Sequence, residues 1–324
     1  MMMEICNKCA RHPSVYFRQY SGEKLCKKCF LHSVDRKVQR TINKFSMMKF
    51  GDHVAVATSG GKDSLVLLSI LKSIVDNSRG ITMSAITIDE GISGYRDESL
   101  KIVSDFCSGL GVQLSILSYS ELFGTHMDEV MRLRPSTKLT SCSVCGTFRR
   151  RAIDLAAEQL GANVIATAHN LDDEIQTFMI NLFSGDVNRI GWNKASSTYK
   201  TGNMKKVKPL SEIYEREIVF YALQKEIPFQ SEQCPYKNES IREEFRQFLN
   251  DLEKAHPGIK YNTYKSMIDV SALVRDRRVL ATERGICEKC GRDSTEQLCS
   301  VCKMQSNLKP GRVGLESRAN INII

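Results

Sequence analysis

With 324 residues the chain is long enough for about two domains and at least one full hydrophobic core. Its 46 Lys and Arg against 37 Asp and Glu give a formal charge of +9, and 42% hydrophobic with 7% aromatic residues describes a soluble, basic, globular composition. No stretch approaches the about 20 consecutive apolar residues of a membrane span, and Met1 to Cys9 reaches polar Asn7 and Lys8 with no apolar signal core, so the expectation is a cytoplasmic protein with no membrane partner.

Cys6-x2-Cys9 is followed after sixteen residues by Cys26-x2-Cys29, and near the other end Cys287-x2-Cys290 is followed after eight by Cys299-x2-Cys302. In a long chain without a signal segment, close pairs of this kind favour metal over disulfides. Each four-cysteine unit is too short to bury a core, so its folding free energy is expected to come largely from the metal. His12 and His32 are alternative ligands at the first unit. The predicted organisation is a metal module at 1–33, a central domain at 34–230, a helical extension at 231–284, a second metal module at 285–308 and a poorly ordered tail at 309–324.

Between the modules, short apolar runs alternate with helical periodicity. Arg36 to Phe50 reads as a basic helical lead-in. Strands are expected at His53 to Ala57, Thr82 to Ile88, Gln113 to Leu117, Asn163 to Thr167 and Lys206 to Lys208. Helices are expected at Asp63 to Val75, Arg96 to Leu110, Phe148 to Leu160, Asp172 to Phe183 and Ser211 to Gln224, with a further charged helix at Asn238 to Lys254. Five strands with intervening helices predict an α/β, doubly wound parallel sheet, with ligands beyond the carboxyl ends of its strands.

The first strand, Val54 to Ala57, runs into Thr58-Ser59-Gly60-Gly61-Lys62-Asp63-Ser64 and then apolar Leu65 to Leu68. Paired glycines allow a tight turn with converging N–H groups, the helix N-terminus adds partial positive charge, and Ser59, Lys62 and Ser64 supply donors to phosphate. A Walker A loop would need glycine where Val56 stands and Ser or Thr where Asp63 stands, which disfavours simple ATPase or GTPase chemistry. Ser59 to Ser64 reads SGGKDS and resembles the signature of the PP-loop ATP pyrophosphatase family. That resemblance implies ATP cleavage between the α and β phosphates, with adenylation of a substrate carbonyl oxygen. It also implies adenine and ribose contacts from Ile88 and Asp89 after the second strand. His169-Asn170-Leu171-Asp172-Asp173-Glu174 follows the fourth strand, where the acidic residues either cap a helix or hold Mg²⁺ beside the triphosphate. Asp173, with Asp172 as its alternative, is the residue chosen for the metal role, and His169 is placed at the nucleotide.

Four cysteines lie outside the terminal units. Cys107 follows the apolar rhythm of Ile102, Val103, Phe106 and Leu110 and is expected in the core. Cys142 and Cys145 form a third C-x2-C just before the helix bearing Arg149, Arg150 and Arg151, and Cys234 lies in Gln233-Cys234-Pro235-Tyr236. Three thiolates suit an iron-sulfur cluster with one open iron, or a redox disulfide with a persulfide on the third. With two terminal cysteine units, a PP-loop and a cysteine triad, nearly the whole chain resembles the tRNA 2-thiouridine synthetases of the TtuA and cytosolic thiouridylase subunit 1 group. The resemblance implies a 4Fe-4S cluster on Cys142, Cys145 and Cys234, a Zn²⁺ in each terminal unit, and a homodimer. TtuA-like proteins close the first zinc site with C-x2-H, whereas Cys26-x2-Cys29 points to the wobble uridine (position 34) rather than the T-loop uridine (position 54).

The expected reaction is ATP-dependent 2-thiolation of tRNA, with pyrophosphate displaced as the uridine C2 oxygen attacks the α-phosphate, and AMP lost as sulfur enters. Free sulfide, a persulfide carrier and a ubiquitin-like thiocarboxylate protein are all open as sulfur donor. Arg149 to Arg151, the basic lead-in and the metal modules are candidate tRNA contacts. The rival readings are another PP-loop ligase using a nitrogen nucleophile, which needs no cysteine triad, and a non-catalytic RNA-binding module, which releases no pyrophosphate.

Overall fold

The computed structural model describes residues 4–133, 140–198, 204–236, 241–278, 285–308 and 322–323. In chain order the elements are β1 (Tyr16–Arg18), β2 (Glu23–Leu25), α1 (Lys27–Lys44), β3 (His53–Ala57), α2 (Lys62–Asp76), β4 (Thr82–Asp89), α3 (Arg96–Leu110) and β5 (Leu114–Ser118). They continue through α4 (Tyr119–Phe123), α5 (Met127–Leu133), α6 (Ser141–Gln159), β6 (Val164–Ala166), α7 (Leu171–Phe183), α8 (Val187–Trp192), β7 (Ser196–Thr198), β8 (Lys205–Val207) and α9 (Glu215–Gln224). Last come α10 (Arg242–Ala255), α11 (Ile259–Arg278), β9 (Gly285–Ile286), β10 (Asp293–Ser294), α12 (Ser300–Leu308) and β11 (Asn322–Ile323).

The main sheet has the order β11-β5-β4-β3-β6-β8-β7. Its five inner strands, β5, β4, β3, β6 and β8, are parallel and correspond to the five expected; β11 and β7 add an antiparallel strand at each edge. The central strands β3 and β6 are covered on both faces, which is why Val54 to Ala57 and Val164 to Ala166 read as unbroken apolar runs. Alternation divides the inner strands cleanly: Val54, Val56, Val164 and Ala166 join the core shared with Leu65, Leu68 and Val103, while Ala55, Ile86, Ile88 and Ile165 join the core under Phe148 and Ala152. A third core, around Ile175, Tyr214, Leu249 and Met267, holds α7, α10 and α11 together.

Several boundaries differ from expectation for visible reasons. The lead-in helix begins at Lys27 rather than Arg36, because Phe30, Val34, Val38 and Ile42 form one buried stripe at i, i+4 spacing that runs back to the cysteine module. α6 begins at Ser141 rather than Phe148. Thr140 is its N-cap, with the hydroxyl accepting from the N–H of Ser143, so the C-x2-C lies inside the helix and not before it. α9 starts at Glu215 rather than Ser211, after a buried turn at Leu210 to Ile213. Cys107 is in the core as expected. The tail lies outside the described residues except for Asn322 and Ile323, and residues 237–240 of the expected Asn238 to Lys254 helix also lie outside them. Among the described residues no helix is long and apolar enough to cross a membrane.

The N-terminal module is fastened to the central sheet through α9. Arg18 Nε lies 2.7 Å from Glu217, with the arginine side chain 8% and the glutamate side chain 0% exposed. Tyr20 also donates to Glu217, at 3.1 Å. Removing one partner of a buried pair leaves the other uncompensated. Glu217→Ala is therefore expected to lower stability by about 3–5 kcal/mol in urea unfolding, the scale set by such broken pairs, and a change within error would show that Glu23 alone satisfies Arg18.

Candidate active site

A cavity of about 550 Å³ opens at the carboxyl ends of the inner strands. Thr58, Ser59, Gly61, Asp63 and Ser64 line it from the glycine turn, Ile88 and Glu90 from the end of β4, Cys142, Arg149 and Arg150 from α6, and His169, Asp173 and Arg242 from the opposite wall. Sequence-distant phosphate-binding and thiol elements thus share one space.

The turn is built for close approach. Gly60 has φ +85, and a Cβ there would stand 2.7 Å from Ser99 Cβ, so only glycine fits. The Ser64 hydroxyl accepts from the Ser59 N–H at 3.1 Å and donates to the Gly61 carbonyl at 2.9 Å, which pins the turn from inside. Gly61 is the N-cap of α2 and supplies no side-chain cap, so the helix end faces the cavity as an anion site.

Two carboxylates face this helix end. Asp173 and Asn170 form a reciprocal cap on α7, and the Asn170 amide also donates to Asp63 at 3.1 Å. Burial, with the Asp63 carboxylate adding to it, pushes the Asp173 carboxyl up to about 6. Such a pair favours a cation between its members. His169 is pushed down to about 3 by burial within the cavity and then by Lys208, Arg242 and Arg150, so it is neutral at ordinary pH. Its Nδ1 lies 3.0 Å from the Thr167 hydroxyl.

Other expected nucleotide residues stand outside the lining. Lys62 Nζ lies 2.9 Å from both Asp63 and Glu215. Asp172 is buried, accepts from the Glu215 N–H at 2.7 Å and pairs with Lys260 on α11. Neighbouring positions on a helix face different ways, which is why Asp173 and not Asp172 reaches the cavity. Asp89 lines a separate cavity of about 570 Å³ with Gly91, His126 and Asp128. Sequence reasoning missed Arg96, Glu90, Arg242 and Glu215. The available signal was the pair of acidic residues at a strand end, where Asp89 closes β4 and Glu90 follows it.

The remaining thiols gather at the start of α6. Cys142 is exposed to the cavity, while Cys145, one turn on, is buried. The Tyr119 hydroxyl donates to the Cys145 carbonyl at 2.8 Å, and Arg149 donates to its sulfur at 3.3 Å. The segment bearing Cys234 is held to the same helix end, where Ser141 donates to the Tyr236 carbonyl at 2.8 Å. Cys234 packs against the core containing Cys145, and burial, with the Cys145 and Cys142 charges adding to it, raises its pKa. The three arginines that follow point three ways: Arg149 to Glu90 and Cys145, Arg150 into the cavity, and Arg151 to Cys290 and Cys299 at 3.5 Å each.

Among the described residues, the groups of three or more ligand atoms lying within 4.8 Å of one another are Cys6, Cys9, Cys26 and Cys29, and Cys287, Cys290, Cys299 and Cys302. Neither histidine joins the first group, although His12 Nδ1 lies 3.6 Å from Cys9 and, by that hydrogen bond, brings its thiol down to about 5. In the second group burial opposes ionisation of Cys287, yet N–H groups of Cys299, Cys290 and Lys289 bring it down to about 6. Four thiols at this separation fit a single tetrahedral ion. Cys142, Cys145 and Cys234 do not form a group of this kind among the described residues.

A profile of the PP-loop domain family matches residues 32–253. Cytoplasmic tRNA 2-thiolation protein 1 of Aspergillus niger is 36% identical over 95% of this chain and 89% of its own length. The protein of that name from Chlamydomonas reinhardtii is 36% identical over 96% and 87%. Among solved structures, the U34-tRNA thiolase NcsA from Methanococcus maripaludis, determined with its 4Fe-4S cluster, superposes with a TM-score of 0.81 at 32% identity, covering 96% of this chain and 99% of that one. With its glycine turn, its cavity-facing thiol and its two four-cysteine groups, the chain belongs to the PP-loop domain family and, within it, to the cytoplasmic tRNA 2-thiolation protein 1 group.

Proposed function

We propose that the chain is an ATP-dependent tRNA-uridine 2-sulfurtransferase acting on the wobble uridine, position 34. The observation that carries this reading is that Cys142 lies on the wall of the cavity that also holds the phosphate turn. A nitrogen-transferring PP-loop ligase has no use for a thiol there. The name of the solved relative and the Cys26-x2-Cys29 pair both favour position 34.

In this reading the backbone of the turn at Gly60 and the α2 terminus receive the phosphates of ATP. Asp173 and Asp63 hold Mg²⁺, and Lys62, paired with Asp63, orients that carboxylate and adds positive charge beside the leaving pyrophosphate. Arg150 and Arg242 supply further cationic surface to ATP or to tRNA phosphates. The uridine leaves its stack, its C2 oxygen attacks the α-phosphate, and pyrophosphate departs. A sulfur nucleophile then adds at C2 and AMP is lost. A 4Fe-4S cluster held by Cys142, Cys145 and Cys234 would present sulfur deprotonated near neutral pH. Arg149 orients Cys145 by its N–H···S contact, and Tyr119 holds the Cys145 backbone. The two four-cysteine groups hold Zn²⁺, and the sulfur donor is free sulfide or a ubiquitin-like thiocarboxylate protein.

Anaerobic incubation of iron-reconstituted protein with ATP, Mg²⁺, sulfide and unmodified tRNA, followed by nucleoside mass spectrometry, is expected to yield 2-thiouridine with AMP and pyrophosphate. Cys142→Ala should abolish it, and equal product from that variant would sink the reading. Mg²⁺ affinity has its own pH signature. Asp173 must be ionised to bind a cation and its pKa stands at about 6, so Mg²⁺-dependent ATP binding is expected to be full above that pH and to weaken as pH falls through it. Calorimetry at a series of pH values checks this, and Asp173→Asn should flatten the profile.

A further inference from the structure

We propose that Glu90 is a positioning residue that joins the nucleotide turn to the thiol of Cys145. Its side chain is 3% exposed at the end of β4, with Oε2 2.7 Å from Arg96 Nε and Oε1 2.7 Å from Arg149 Nε. Each arginine has a second engagement. Arg96 donates from Nη1 to the Ser59 carbonyl at 2.9 Å and from Nη2 to the Ile88 carbonyl at 2.5 Å. Arg149 donates from Nη2 to the Cys145 sulfur at 3.3 Å. One carboxylate thus stands in the middle of a continuous path from Ser59 through Arg96, Glu90 and Arg149 to Cys145.

Charge rather than directional hydrogen bonding holds the centre of this path, because Glu90 Oε2 and the Nε atoms of both arginines lack hydrogen-bond geometry to any partner. Neutralising Glu90 would leave two guanidinium groups facing each other with no anion between them. Exposure decides which one yields. The Arg96 side chain is 5% exposed and tied to two backbone carbonyls, whereas that of Arg149 is 44% exposed and has solvent to move into. Loss of the carboxylate charge therefore releases Arg149 from Cys145 while Arg96 keeps its grip on the turn. Nucleotide binding and thiol placement become separable, which a general loss of packing would not achieve.

The activity arm of the test rests on the thiolation reading; the thiol arm does not. In full-length protein with both four-cysteine groups metal-loaded and no cluster, alkylation of each cysteine is followed at fixed pH by peptide mass spectrometry. Glu90→Gln is expected to change the Cys145 rate by about threefold or more, with Cys107 unchanged as internal control. ATP affinity by calorimetry should stay within about threefold, and in reconstituted protein kcat for 2-thiouridine should fall by about tenfold or more with little change in KM for ATP. Arg149→Lys keeps a cation against Glu90 but loses the second arm to sulfur, so it gives the same pattern and decides the matter if Glu90→Gln does not fold. An unchanged Cys145 rate, or loss of ATP affinity in step with kcat, overturns the proposal. Parent protein that makes no 2-thiouridine overturns the sulfur-transfer reading instead, and the alkylation rates then judge the bridge alone.

Discussion

Helix α6 must start where it does for the site to exist. Its first turn presents Cys142 to the cavity, while Cys145, the next position along the same helix face, is covered by Tyr119 and the core around Phe148. The start is enforced from several sides. Thr140 caps the helix, Tyr119 holds the Cys145 carbonyl, and Ser141 takes the carbonyl of Tyr236 from the segment carrying Cys234. The buried Phe148 and Ala152 then seat the helix on the sheet face formed by Ala55, Ile86 and Ile165. Sulfur chemistry is thereby placed by ordinary capping and core packing over the end of a parallel sheet, where such folds open a crevice for ligands.

Opposite charges line the cavity together and partly pair, with Glu90 between Arg96 and Arg149 and Lys62 on Asp63. Asp63 and Asp173 stand on the side of the glycine turn and α7, where a divalent cation would relieve their repulsion, and Arg150 and Arg242 complete the lining with positive charge. His169 lies among these cations and is neutral chiefly because it is buried and then because of them, so it can exchange hydrogen bonds with a nucleotide without adding a further charge. The acidic residues that would crowd such a site are occupied elsewhere. Asp172 is taken by Lys260, Glu174 by Lys208 at 2.7 Å, and Glu215 by Lys62. Each of these pairs also fastens α7 or α9 to a neighbouring element, so neutralising charge around the cavity and assembling its walls are the same event.

Much of this was legible in the residues, and the reason differs from element to element. The central strands and the glycine turn are local features, set by apolar runs such as Val54 to Ala57 and by a backbone that only Gly60 permits. Cysteine spacing likewise reports metal geometry directly. What local pattern does not carry is direction. Arg149, Arg150 and Arg151 read as one basic run, yet helical rotation sends them to a carboxylate, a cavity and a pair of thiols. Asp172 and Asp173 read as interchangeable for the same reason. The edge strand β11 and the long helix α11 depend on contacts with distant segments, β5 in one case and α7 and α8 in the other, and their own periodicity is too weak to announce them.

The two cysteine modules are attached by different means, and the difference bears on how metal loading reaches the cavity. At the N-terminus Cys26 is itself the N-cap of α1, whose buried stripe from Phe30 to Ile42 packs into the core on the α2 side of the sheet. At the C-terminus the module is laid against α6 from outside. Cys287, Cys299 and Cys302 share the core that contains Cys145 and Phe148, Arg292 clasps Glu158, and Arg151 donates to two of the sulfurs. A thiolate set binding a divalent ion keeps net negative charge, and a guanidinium beside it both stabilises that charge and is held in place by it. Emptying this module would free Arg151 and strip apolar cover from the helix that carries Cys142 and Cys145. The N-terminal module shares the other core, so loss of its metal should act through the fold as a whole, whereas loss of the C-terminal metal acts first on the wall where the thiols stand.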